Sequence, residues 1–149
     1  MAFSVFFLAS WLVISLFLVM KKKLSIIENT FVFMVILVIN INWSWIIEEE
    51  LNLIQLTEEG MDFTAFLLFR SIIIPMILNL IHLSNTLLVS IVSLIILLFL
   101  AFLSTTFNMT NYINWNLGYD AIYYIILHVI SYYTHKLFQK ISNNEVRHA

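Results

Sequence analysis

Cysteine is absent from this 149-residue chain. Disulfides, thiol catalysis and thiolate metal sites are therefore excluded. With one proline and two glycines, there is little scope for glycine-rich phosphate loops, close GxxxG helix contacts or the broken helices of transporters. Charge is sparse as well. Only 11% of residues are charged, where a soluble domain carries about a quarter. The net charge of −2 provides no basic field to attract nucleic acid.

Apolar residues fill the space. They make up 62% of the chain, and the mean hydropathy is +0.97. A chain this small cannot hide so much apolar surface in one core. Its solvent, and its first partner, is the lipid bilayer. Spanning the hydrocarbon takes about 20 mostly apolar residues. Five segments qualify, at residues 2–20, 31–47, 63–82, 86–106 and 117–136. The expected fold is all-α, a polytopic transmembrane helix bundle in one domain, residues 1–141. Residues 142–149, SNNEVRHA, read as a short cytoplasmic tail. The rival has four crossings, with the second segment re-entrant or interfacial.

The basic residues orient the bundle, because Lys and Arg collect on the cytoplasmic side. Lys21, Lys22 and Lys23 follow the first segment, so that segment reads as a retained helix rather than a cleaved signal peptide. Placing these lysines inside puts the loops EEELNLIQLTEEGMD and TFNMTNYINWN outside, and neither contains Lys or Arg. The link around Ser84 and Asn85 falls inside, as does the C-terminus with Lys136, Lys140 and Arg147. The expected topology is N-terminus outside and C-terminus cytoplasmic. Trp43, Trp45, Tyr112, Trp115 and Tyr119 then mark the outer interface, and Tyr132 and Tyr133 the inner one. In the acidic outer loop, Leu51, Ile54 and Leu56 are spaced for a brief amphipathic surface helix.

Some residues are costly at membrane depth. Arg70 lies inside the third segment, and a charge at mid-membrane costs at least about 2.5–3.5 kcal/mol. Its candidate partners are Asp120 and the acidic loop, with snorkelling to the headgroups as the alternative. Pro75 removes the normal helical partner of the Ser71 carbonyl, and Asn79 follows one turn later. Asn40 and Asn42 read as glue between helices. The fifth segment places Asp120, Tyr124, His128, Ser131 and His135 within an arc of roughly 80°. Such a line suggests either a proton relay or bonds to neighbouring helices. The candidate intramembrane polar site is Arg70, Asn79, Asp120, Tyr124, His128 and Ser131.

Enzyme motifs are missing. There is no HExxH and no G-x-S-x-G. The pairs Glu49–Glu50 and Glu58–Glu59 invite comparison with glutamate intramembrane proteases. Ile54 or Phe63 stands where the EExxxR pattern needs arginine. His82, His128 and His135 form a metal set only if folding gathers them, so no metal or other cofactor is expected.

Three stretches, NWSWIIEEELNLIQLT, FLLFRSIIIPMI and TNYINWNLGYDAIYYIILH, resemble a group of small multi-pass membrane proteins of spore-forming, low-GC Gram-positive bacteria. The likeness spans roughly residues 30–140 and rests on scattered aromatic and polar positions. It implies a bacterial cytoplasmic membrane and brings no functional residues with it. The expected function is non-enzymatic: a structural or accessory membrane subunit that packs against itself or a membrane-protein partner. The alternative is a small channel or transporter, proton-coupled, using Arg70, Asp120 and His128.

Overall fold

The computed structural model describes residues 1–19, 25–81 and 87–148. The expectations that rest on Lys21, Lys22, Lys23, His82, Ser84 and Asn85 lie outside the described residues. So do those that rest on the Arg147 side chain.

Helix α1 is Ala2–Val19 and α2 is Ile26–Trp45. Ser25 caps α2, its hydroxyl accepting the backbone N–H of Glu28 at 3.2 Å. The serine and glutamate three residues apart form the start of a capping box. That signal moves the helix start upstream of the expected residue 31. At its far end α2 does not stop. It widens into an i→i+5 turn over Ile46–Glu50, with Leu51 N–H bonded to Ile46 O at 2.9 Å.

The third rod is continuous. It begins as α3, Gly60–Leu68, widens into a second i→i+5 turn over Phe69–Ile73, and ends as α4, Ile74–Ile81. Pro75 explains the widening. In α register its missing N–H would orphan the Ser71 carbonyl. Here the last wide-turn bond joins Ile74 N–H to Phe69 O. The next carbonyl in that register belongs to Arg70 and faces the proline. The side-chain amide of Asn40 donates to it instead.

Helix α5 is Leu87–Thr106 and α6 is Leu117–His148. Residues 142–148 of the expected short tail therefore continue α6. The expected surface helix is absent. Ile54–Leu56 is strand β1, antiparallel to β2, Thr110–Tyr112, with Ile54 opposite Tyr112 and Leu56 opposite Thr110. Asn52 and Asn108 take positive φ, 48° and 56°, just before the two strands. Asparagine tolerates this conformation better than most residues. A strand needs a partner, and β1 finds its partner beyond two intervening helical rods. The pairing places the α2–α3 and α5–α6 loops at the same end of the bundle.

α1 packs along α3 and the second wide turn, α2 against α4 and α6, and α5 against α6. The α3–α4 rod is central: 56% of its apolar membrane-length stretch is buried, against 22% to 28% for those of the other three apolar helices. The α2 stripe repeats every fourth residue: Glu28, Val32, Ile36, Asn40 and Ser44 are buried. The outside is apolar. Trp11 is 64% exposed, and Phe7, Ile95 and Phe99 are also exposed.

Among the described residues, four helices are long and apolar enough to cross a membrane: Ala2–Val19, Ile26–Glu50, Gly60–Leu80 and Leu87–Thr106. The second segment, which the four-crossing rival would have removed, is one of them. α6 has the length but is more polar.

A buried polar cluster as the candidate functional site

Two wide turns meet at the centre of the site. Arg70 sits in one and Glu48 in the other, with Nη2 of Arg70 at 3.9 Å from Oε1 of Glu48. Both side chains are under a tenth exposed. Wide turns of this kind rotate a helix locally and recur at functional sites. The expectation for Arg70 left Asp120 and the acidic loop as partners, and the loop supplies the partner. Glu48 is turned inward because α2 continues past Trp45. Ser44, one turn earlier, donates its hydroxyl to Glu48, and Phe66 offers its ring at 5.4 Å from the guanidinium carbon.

Asn40 joins this pair to α6. Its amide donates to the Arg70 carbonyl, and its oxygen accepts the Tyr123 hydroxyl at 2.6 Å. Tyr123 stacks on Trp43, centroids 5.5 Å apart and planes 8° from parallel. Asn40 is 0% exposed, so each bond replaces one that water cannot provide. The sequence suggested glue at Asn40. It did not show that the glued group is the carbonyl released by Pro75. Asn40, Ser44 and Glu48 are spaced by four, and this spacing was the available clue.

The line on α6 separates into distinct links. Asp120 is 3% exposed and accepts the Tyr112 hydroxyl and the Trp115 indole N–H at 3.1 Å. It anchors the β2 strand to the start of α6. Tyr112 lies outside the helices. Burial pushes its phenol well above the ordinary value, and the Asp120 charge and hydrogen bond add to the shift. Tyr124 is 1% exposed, beside Tyr123 and within the field of Arg70.

His128 bonds α5. Its Nδ1 lies 2.7 Å from the Tyr124 carbonyl, which can only accept, so Nδ1 carries a proton. Its Nε2 lies 2.9 Å from the Ser93 hydroxyl. That hydroxyl also lies 2.8 Å from the Ser90 carbonyl, so its one hydrogen has two acceptors in reach. Ser131 is buried at 1% exposure. His135 meets Glu28 at the foot of α2, Nδ1 to Oε1 2.6 Å. Asn79 is on the same rod as Arg70 but bonds elsewhere, donating to the Asn29 carbonyl at 3.0 Å.

The structure thus brings Arg70, Asp120 and Tyr124 into one electrostatic neighbourhood. It spreads Asn79, His128 and Ser131 among other contacts. Glu48, Asn40, Tyr123, Tyr112, Trp115, Ser93 and Glu28 were not among the expected site residues. Among the described residues, no group of three or more His, Asp or Glu gathers to hold a metal. A scan against protein-family models, a search of curated proteins and a search of solved structures each found no match to this chain.

Proposed function

We propose that this chain is a multi-pass protein of a bacterial cytoplasmic membrane, with five crossings, N-terminus outside and C-terminus inside. It acts as a non-enzymatic structural or accessory subunit, packed against itself or another membrane protein. One observation carries this reading: among the described residues, four polar side chains of α6 bond to different neighbours. Tyr123 goes to α2, His128 to α5, His135 to α2 and Asp120 to the strand end. A helix too polar to be stable alone in lipid becomes stable when its neighbours satisfy it.

The absence of cysteine gives a clean test of topology. Glu58→Cys and Gln139→Cys each introduce a unique thiol at opposite ends of the bundle. In intact cells Glu58→Cys should react with an impermeant maleimide, and Gln139→Cys only after permeabilisation. Equal labelling of both from outside would remove the fifth crossing. For function, Arg70→Gln and His128→Ala should lower assembled protein, and proteoliposomes should pass no protons. A proton flux abolished by His128→Ala would favour the transporter reading instead.

A further inference from the structure

Arg70 has more donors than the described residues use. Nη2 faces Glu48, while Nε and Nη1 are buried with no hydrogen-bond partner. Arg70 lines a cavity of about 200 Å³ between α2 and α3, walled by Ile41, Trp45, Phe63, Phe66 and Leu67. A second cavity of about 400 Å³ lies beside β1 and includes Glu58. Glu48, Glu49 and Leu56 line both, so the two form one groove. Glu49 is exposed at the end of the α2 rod. Arg70 lies about 15 Å along its own rod from Gly60. Carboxylates therefore stand at the shallow end and the spare guanidinium donors at the deep end.

We propose that this groove binds the headgroup of an ethanolamine phospholipid from the adjoining leaflet. The phosphate takes the Arg70 Nε and Nη1 donors, and the ammonium takes Glu49. The charges select a zwitterion. An anion alone would face Glu48, Glu49 and Glu58, and a cation alone would leave two buried donors unmet. The order of charges selects a lipid, since its phosphate lies nearer the acyl chains than its amine does. The apolar wall continues the groove for those chains. A guanidinium matches phosphate in a forked geometry. A choline headgroup has no N–H to give Glu49.

The inference rests on the chain being in a bilayer, which the cysteine labelling reads separately. The binding test uses the full chain in maltoside micelles, titrated with short-chain ethanolamine, choline and glycerol phospholipids. Affinity is read by native mass spectrometry and by melting temperature. The ethanolamine lipid should bind about tenfold tighter than the other two. Glu49→Gln should bring it to the choline level with the lipid-free melting temperature unchanged. Arg70→Lys, which keeps the charge but loses the fork, should weaken it too. Equal binding of all three lipids overturns the proposal, as does a preference that survives Glu49→Gln. Free O-phosphoethanolamine binding as tightly as the lipid overturns the lipid assignment. Correct topology without lipid preference sinks this inference alone.

Discussion

Pro75 and Asn40 illustrate how one residue's deficit becomes another's role. Proline lacks an N–H, the helix widens, and the Arg70 carbonyl turns to the Asn40 amide. Asn40→Ala would strip that carbonyl and the Tyr123 hydroxyl of their partners. Losing two buried bonds should cost about 2–4 kcal/mol, measured by unfolding in micelles. In a Pro75→Ala background the backbone regains a donor, so the same change should cost about 1 kcal/mol less. Equal costs in the two backgrounds would disprove the link.

Arg70 was legible in the sequence because a charge inside an apolar run stands out. Its partner was not legible. Several carboxylates shared one loop, and nothing local shows that α2 continues far enough to turn Glu48 inward. Glu48→Gln should leave the guanidinium uncompensated and destabilise by about 3 kcal/mol. The Arg70→Met, Glu48→Leu double variant should be close to neutral. Unfolding midpoints of the two variants would check this.

Secondary-structure elements were more legible than their pairings. The apolar runs located the four helices long and apolar enough to cross a membrane to within a few residues, except where a cap or a polar turn extended α2, as at Ser25 and at Glu48; the start of α6 was legible, but its polar continuation past residue 136 was not. β1 was misread because three residues carry too little periodicity to tell a strand from a turn of helix. Its partner was invisible in local pattern. Gln55 and Asn111 face each other across the ribbon and are both exposed. The Gln55→Cys, Asn111→Cys pair should form a disulfide under mild oxidant, shifting mobility on a non-reducing gel. A surface helix at residues 51–56 would give no such shift.

The same ribbon contains Tyr112, whose phenol is held above its ordinary value. A raised folded-state value means the folded state keeps its proton longer than the unfolded chain. The stability it contributes is complete below pH of about 10 and is lost as pH rises through the folded value. Alkaline unfolding should therefore have one less ionisation-linked component in Tyr112→Phe than in the wild type. Matched pH profiles above 10 would contradict the placement.

At the scale of the molecule, polarity is inverted relative to a soluble protein: Arg70, Asn40, Asn79 and Asp120 are inside, while Trp11 and Phe99 are outside. Composition alone announced this arrangement. It could not rank the helices, and the most polar one, α6, turns out to hold bonds to α2, α5 and the ribbon.

The ribbon also imposes a schedule on biosynthesis. Strand β1 leaves the ribosome well before β2, with the α3–α4 rod and α5 translated between them. Arg70 and Glu48 lie on consecutive rods, so the two charges can enter the translocon as a neutralised pair before α6 exists. The clasp at the strand end closes only after Tyr112 has emerged, and it then locks the two intervening rods in place. Chains stalled before residue 110 should insert with the pair formed and the clasp open, so a glutamate-specific protease should cut the 51–59 loop. Chains stalled past α6 should resist it.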